Sequence, residues 1–479
     1  MTIPEIKLKI ASPESEIVML EKLNLTAIKI CTILEANGYS AYIVGGAVRD
    51  FLMGKEPKDW DITTNAKPQE VKNIFYKTVD TGIKHGTVTV LLDDESFEVT
   101  TYRIDGNYSD SRHPDSVEFT DDIVKDLSRR DFTINAMAMN ADGKVVDPFM
   151  GRYDIEHKAI RCVGDADKRF TEDPLRILRA CRFQAQLPGF HINNLPTRLY
   201  MGIHAEKLQN ISAERIRDEL TKILVSSDPV AGLISAYYNN VTAYILPEFD
   251  RMMECKHENP FHYTDVGHHS LDVVKGVPAR ANLRWAALLH DVGKPDTKAW
   301  DDKKGRYRYI GHPEKSVEIA TGILDRLKFS NADKNHILKL IKYHDFICET
   351  PSKLRRFAAE MGEDFFEDFN ALRYADAYAH TEEYAPYIQE KHDKMAEQIA
   401  RYFADGSAID VHGLKINGDD LLEIGLKGKQ IGDFLNIMLN ECLGQPNLNN
   451  PDYLKKQAEK YLAKEERKAL WQSNNNDLY

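Results

Sequence analysis

The chain is poor in what disulfide frameworks, zinc ribbons and membrane spans are built from. Its six cysteines (Cys31, Cys162, Cys181, Cys255, Cys348 and Cys442) are scattered over 479 residues, with no C-x-x-C pair. That argues against a zinc ribbon or a disulfide scaffold and for a reducing compartment. No apolar run is long enough to span a bilayer. The N-terminal stretch MTIPEIKLKIASPESE has neither the apolar core nor the cleavage site of a signal peptide. These absences predict a cytoplasmic protein with no membrane partner. There is no internal repeat and no long low-complexity tract. Positive charge is also short: 63 Lys and Arg against 75 Asp and Glu leave a net charge of −12. Such a chain is unsuited to coating nucleic acid indiscriminately, although a local basic patch can still contact phosphate. Nothing in the sequence sets an oligomeric state.

What is present is concentrated in Tyr42 to Asp61, YIVGGAVRDFLMGKEPKDWD. An apolar strand (Tyr42, Ile43, Val44) ends in Gly45-Gly46, and a short helix, Ala47 to Met53, opens directly after them. Glycine lets backbone lie against a ligand, and the N–H groups opening a helix suit an anion such as a triphosphate. Arg49 adds a planar, multi-donor phosphate partner. Lys58 to Thr63 then reads as a strand in which Asp59 and Asp61 project on the same side. Paired carboxylates repel unless a cation lies between them, and hard oxygen ligands suit Mg²⁺. A phosphate cradle beside a two-carboxylate clamp equips a site for nucleotidyl transfer.

GGAVRD followed by DWDITT resembles the head domain of the class II tRNA nucleotidyltransferases (CCA-adding enzymes) and bacterial poly(A) polymerases, within the polymerase-β superfamily. The chain order agrees. Residues 14 to 37 read as a leading helix closed by Asn37-Gly38. Strands are expected at Tyr42–Val44, Asp59–Thr63, Thr87–Leu92 and Phe97–Tyr102, with a helix at Gln69–Tyr76. Beyond Asp147-Pro148-Phe149 strand signals nearly vanish, and Asn474 to Asn476 read as a frayed tail. The expected class is α+β: a small mixed-sheet head, then an all-α neck and body holding a helical metal domain. The expected divisions are 1–38, 39–146 (head), 147–245 (neck and body), 246–385 (metal domain) and 386–479 (helical tail).

Three further stretches bear on the same chemistry. Glu98, in the alternating run Ser96 to Arg103, is either a third metal carboxylate or a solvent-facing side chain. The turn-rich run Asp105 to Pro114 reads as a flexible loop. The resemblance implies that a loop of this kind is needed for the switch to adding the terminal A, and here it is kept whole. Asp126 to Ala136 is similar to the family's RRDFTINA motif, which implies ribose recognition by Arg130 and Asp131. Glu172 to Phe183 matches EDxxR, with Pro174 in the first turn of a helix and Arg176, Arg179 and Arg182 every three residues on one face. Asp173 and Arg176 offer acceptors and donors that could mimic a templating base, and the resemblance assigns this motif to selecting C or A. Ser212 reads as the N-cap of a supporting helix, ERIRDEL.

A second constellation runs His268-His269-Ser270-Leu271, His290-Asp291-Val292-Gly293-Lys294-Pro295, Gly311-His312, Tyr343-His344 and Asp376. Adjacent His and Asp on an apolar helix are costly without compensation, which a divalent metal provides. The order resembles an HD-domain metal phosphohydrolase. The resemblance implies one metal on His269, His290, Asp291 and Asp376, with His312 and His344 adding a second; its H-[ST]-L pattern favours His269 over His268. The expected protein is thus an enzyme using CTP and ATP on tRNA, with Mg²⁺ at the transfer site and a divalent transition metal at the HD site. The rivals are an A-adding enzyme or a poly(A) polymerase of the same superfamily. Uridylyltransferases lack the EDxxR neck, stringent-response enzymes place the HD domain first, and a catalytically dead RNA-binding protein would not need an intact D-x-D.

Overall fold

The computed structural model describes residues 23–106, 116–258, 260–404 and 408–476. The chain divides into two compact units, Met1–Asp250 with Asp325–Phe329, and Arg251–Leu324 with Ser330–Tyr479.

The first unit opens on a helix, Leu25–Ala36, whose Asn24 cap accepts from the Ala27 amide at 2.9 Å. Its apolar face (Ala27, Ile28, Cys31, Leu34) is buried in one cluster with Ile43, Ile62, Val88, Phe97 and Val99 from the sheet behind it and with Phe51 of the helix Gly46–Leu52. The expected beginning of this helix, residues 14–22, lies outside the described residues. Nine strands follow among the described residues: β1 Ala41–Val44, β2 Asp61–Thr64, β3 Thr78–Gly82, β4 Thr87–Leu92, β5 Glu95–Thr101, β6 Arg103–Asp105, β7 Val117–Phe119, β8 Ala138–Met139 and β9 Val145–Val146. Seven of them form one mixed sheet in the order β3-β4-β5-β2-β1-β8-β9. Only β2 and β5 run parallel; every other adjacent pair is antiparallel. Strands β6 and β7 pair separately and flank the expected loop, whose residues 107–114 lie outside the described residues.

One strand boundary differs from expectation in a way that matters to the site. β2 starts at Asp61, so Asp59 lies in the preceding loop instead of two residues along the same strand. Asp61 pairs with Val44, the last residue of β1, and Gly45 then turns the chain into the helix Gly46–Leu52. Asp59 therefore has no partner on that edge with which to extend the ladder.

The sheet gives way to helices Ala166–Glu172, Leu175–Gln186, Leu195–His204, Ala213–Leu224 and Pro229–Tyr238. Leu175–Gln186 is the central one, packed on Ala213–Leu224 and Pro229–Tyr238. Pro174 stands just before it, and Ser212 occupies the N-cap position of Ala213–Leu224 without a capping bond from its hydroxyl.

Among the described residues the second unit is helical apart from a short hairpin, Ala299–Asp301 with Arg306–Arg308, that the sequence pattern did not disclose. Its strands are only three residues long and half of their residues are charged, too short a run for an apolar alternation to be read. Helix Ala281–Leu289 is buried along Leu283 to Leu289, which suits its continuous apolar sequence. Residues 408 onward close around Phe434, Met438, Leu421 and Leu454. The last helix, Pro451–Asn476, runs through the asparagines expected to fray, since propagation adds a backbone bond for each residue fixed. Among the described residues no helix is long and apolar enough to cross a membrane.

Candidate active site and metal centre

One cavity of the first unit, about 620 Å³, is lined by Gly45, Gly46, Arg49, Asp59, Asp61, Arg130, Asp131, Asp173, Arg176, Arg179 and Arg182. Every nucleotide-binding residue expected from the sequence meets there. Gly45 has φ +73°, and a Cβ on it would come 3.2 Å from Arg130 Nη1 and 3.9 Å from Asp61 Oδ2. Glycine thus serves both the left-handed backbone and the close approach.

Asp61 and Glu98 each precede a residue of the parallel Ile62–Val99 pair, whose side chains are buried in the sheet, so both carboxylates face the opposite way. Asp59, Asp61 and Glu98 line a second opening, with Glu95 and Glu56 nearby. Asp61 is exposed to solvent, yet its pKa is raised, first by partial desolvation, then by Glu98 and Asp59, against the opposing pull of Arg130. A carboxylate held among like charges is a group that a cation would relieve. The donor set, all carboxylate oxygen, fits a hard divalent ion.

The basic residues are tied down by a network the sequence did not reveal. Arg49 Nη1 donates to Asn135 Oδ1 at 2.7 Å. Arg179 Nε donates to Asp131 Oδ2 at 2.7 Å, and the Phe132 amide donates to Asp131 Oδ1. Burial alone would raise the Asp131 pKa, but Arg179 holds it at about 2. Asp173 accepts from Arg215 Nη2 at 2.9 Å and caps the next helix through the Leu175 amide. Arg176 is bound to Glu172 at 2.8 Å and to the Arg169 and Arg129 carbonyls, so its guanidinium is committed to protein acceptors. Arg182 reaches Glu219 at 3.3 Å. Arg49, Arg179 and Arg182 all lie over the Phe183 ring, at 5.4, 5.6 and 4.7 Å. Asn135, Phe183 and Arg215 are site residues that motif reading missed. The first two lie inside the quoted motifs without being charged, and Arg215 belongs to a segment read as support alone.

The second unit gathers the other constellation. His269 Nε2 lies 2.9 Å from Asp376 Oδ1 and 3.6 Å from Asp291 Oδ2, and His290 Nε2 is 3.2 Å from the same Asp291 oxygen. On the other side of Asp291, His312 and His344 approach Oδ1 at 3.3 and 3.6 Å and each other at 3.1 Å. Asp291 therefore belongs to two ligand groups, His269–His290–Asp291 and Asp291–His312–His344. Of the adjacent pair, His269 is fully buried in the cluster, whereas His268 bonds Asp265 at the helix start. His290 follows helix Ala281–Leu289 and His344 follows Asn331–Tyr343 as their C-caps, so these ligand types sit at helix ends and not within helices.

The cluster is electrostatically incomplete. His290 Nε2 and Asp291 Oδ1 are buried without a hydrogen-bond partner. Lys294 Nζ rests 2.6 Å from Asp291 Oδ2, showing that the local field accepts a cation. Burial pushes the Asp291 pKa up, but His290 and Lys294 overcome it and hold the carboxyl well below its usual range. Orphaned buried nitrogen and carboxylate oxygen together fit a divalent transition metal. His257, His262 and His380 pack behind His269, with ring centroids 5.6, 4.7 and 5.4 Å from it. Scattered single histidines carried no motif that would have placed them there.

Residues 41–161 match the family described as poly A polymerase head domain, residues 189–253 the "Probable RNA and SrmB- binding site of polymerase A", and residues 265–379 the HD domain. The CCA-adding enzyme of Leuconostoc mesenteroides is 46% identical over 230 residues, which cover 48% of this chain and 57% of that one. The chain spans about half the length of the curated relatives it matches. The Bacillus stearothermophilus CCA-adding enzyme in complex with CTP is 26% identical, with a TM-score of 0.67 over 96% of this chain and 100% of that one. The Thermotoga maritima CCA-adding enzyme complexed with tRNA shares the fold at 21% identity and a TM-score of 0.54, over 93% of this chain and 98% of its own. Models of a poly A polymerase head domain, of a probable RNA and SrmB-binding site and of an HD domain thus match successive parts of one chain, whose fold is similar to that of the solved CCA-adding enzymes.

Proposed function

We propose that the protein adds C, C and A to the 3′ end of tRNA from CTP and ATP, releasing pyrophosphate, and that its HD domain is a metal-dependent phosphohydrolase. The observation that carries the first part is the single cavity joining the Gly45 turn, the Asp59/Asp61 pair and the Asp173–Arg215 and Asp131–Arg179 pairs. Relatives named CCA-adding enzymes and solved relatives bound to CTP or tRNA support the same reading. A site on tRNA implies a cytoplasmic protein. The working divisions are head 39–146, neck and body 147–245, HD domain 246–385 and tail 386–479.

Asp59 and Asp61, with Glu98 beside them, would hold Mg²⁺, which supplies positive charge for the attacking 3′-oxygen and the departing pyrophosphate. Gly45, Gly46 and Arg49 take the triphosphate at the opening of helix Gly46–Leu52. Arg130 and Asp131 face the ribose, with Arg179 fixing the carboxylate. Asp173 reads the base edge, with Arg179 and Arg182 alongside. Arg176 joins it when nucleotide binding exchanges its bonds to Glu172 and the two carbonyls. In the second unit His269, His290, Asp291 and Asp376 would hold one divalent transition metal and His312 and His344 a second, for hydrolysis of phosphomonoesters or cyclic phosphates. Incubating tRNA that lacks its terminal CCA with CTP, ATP or both and sequencing the products tests the reading. Ordered C, C, A is expected; homopolymeric A, or A added only to tRNA ending in CC, would overturn it in favour of the corresponding rival.

Replacing Asp173 by Ala should damage nucleotide choice more than catalysis. Loss of one base-reading hydrogen bond with a partner left unpaired is worth about 1–3 kcal/mol, or about 5- to 150-fold in discrimination. Product sequencing with all four nucleotides should show U or G incorporated, or C and A confused. A slower Asp173→Ala enzyme with intact selectivity would remove this carboxylate from the base-reading role.

A further inference from the structure

The HD cluster opens into a cleft of about 350 Å³ whose far wall has chemistry that a site for phosphate alone does not need. The hairpin strand Arg306–Arg308 lies along it, and the Arg306 guanidinium sits 4.4 Å over the Phe261 ring. Phe261 in turn faces Tyr384 at 4.2 Å, with the rings tilted by 32°. Among the described residues the Arg306 side chain makes no ion pair and no hydrogen bond, although other cations of this region are engaged: Arg308 with Asp301, Lys294 with Asp291, Lys298 with Glu258. A half-buried guanidinium held by an aromatic face alone keeps its planar donors for something else.

The wall is connected to the cluster. His269 lies 5.4 Å from His380, and His380 lies 5.5 Å from Tyr384, ring centre to ring centre. Two such steps separate the metal ligands from the aromatic pair, and both line the same cleft. Aromatic rings and arginine planes stack on bases irrespective of sequence, and the cleft falls in the size range of small-molecule sites, roughly 300–1,000 Å³.

We propose that this cleft is a nucleoside-phosphate site in which Arg306, Phe261 and Tyr384 hold the base while the phosphate reaches the His and Asp cluster. The proposal rests on reading the cluster as a metal phosphohydrolase centre, and it makes the hairpin and the aromatic pair the specificity-determining elements. The same chemistry is offered by a free mononucleotide and by the 3′-phosphorylated end of an RNA.

Calorimetric titration of the full-length protein tests it, with no competing nucleotide present and the head site weakened by Arg49→Ala, a change that the cleft variants carry as well. Adenosine 3′-monophosphate should bind at least 10-fold more tightly than ribose 5-phosphate. Phe261→Ala and, separately, Arg306→Gln should abolish that difference while leaving ribose 5-phosphate affinity and bound metal unchanged. A short 3′-phosphorylated oligoribonucleotide that binds more tightly still, with the same Arg306 dependence, identifies an RNA end as the ligand; a mononucleotide that binds as well identifies the free nucleotide. Equal affinity for the nucleotide and the base-free sugar phosphate, or a preference that survives both substitutions, overturns the proposal. Failure of the underlying reading shows separately, as absence of p-nitrophenyl phosphate turnover with any divalent ion.

Discussion

Asp61→Ala should abolish nucleotide addition while leaving HD-dependent hydrolysis at its native rate. Asp61 ends the β1–β2 ladder against Val44 and faces the cavity that also holds Gly45, Arg130 and Asp59. Removing it takes away one arm of the proposed metal clamp, and metal-assisted charge stabilisation is worth several kcal/mol. At about 1.4 kcal/mol per decade, incorporation of labelled CMP into tRNA lacking CCA should fall by about 10³-fold or more. Asp59→Ala should behave alike even though Asp59 reaches the site from a loop. Near-native incorporation by either variant would sink the assignment.

The same carboxylate supplies an independent readout of stability. Folding raises the Asp61 pKa, through desolvation first and then Glu98 and Asp59. Keeping it ionised therefore costs stability at every pH above the raised value, and the cost fades as pH falls from that value to the ordinary carboxylate value of about 3.9, below which the group is protonated in both states. Without Mg²⁺ at neutral pH, Asp61→Asn should melt at a higher temperature than the native protein, and the gap should close on acidification. Mg²⁺ should raise the native Tm and raise that of the variant less. A variant that melts lower than the native protein at neutral pH would show that the cleft does not strain this group.

His290→Ala should lose bound transition metal and hydrolysis together, with nucleotide addition retained. Its Nε2 is buried, has no hydrogen-bond partner and lies 3.2 Å from Asp291 Oδ2, an oxygen paired with the Lys294 ammonium. Loss of a residue that merely orients a metal ligand already costs about 10–100-fold in affinity, so loss of a ligand should cost at least 100-fold. Metal analysis of the purified protein and hydrolysis of 2′,3′-cyclic nucleotides under several divalent ions would measure both effects. His312→Ala, at the edge of the second ligand group, separates the two groups. It should lower metal content while the His269–His290–Asp291 group keeps its own ion. A native protein that binds no metal there and hydrolyses no phosphate ester would leave the HD fold a structural role alone.

Where the sequence was legible, it was so because the chemistry is local. Gly45-Gly46 before a helix, the D-x-D pair and the EDPLR stretch each place their atoms through a few adjacent residues, and local spacing suffices to foresee them. The order of His, His-Asp, His, His and Asp likewise declares a cluster without showing its shape. Boundaries were less legible. Whether Asp59 belonged to a strand depended on where β1 stopped, which is set by a partner strand and not by Asp59 itself. The hairpin Ala299–Arg308, with charge where apolar alternation would be, gave no periodic signal at all.

The amino-acid order by itself determined the α+β class, the head-first order of the domains, the apolar faces that bury helix Leu25–Ala36 and the sheet behind it, and the identities of the charged residues that meet in each site. The tertiary structure alone decided their pairing: Asp131 with Arg179, Asp173 with Arg215, Arg176 with Glu172, and Asp291 between two groups of histidines. These partners are 48, 42, 4 and up to 53 residues apart along the chain. A guanidinium or carboxylate has similar affinity for every opposite charge the chain offers. Which one it meets is set by how the helices and strands pack, because packing fixes both the distance and the exclusion of water that give an ion pair its strength.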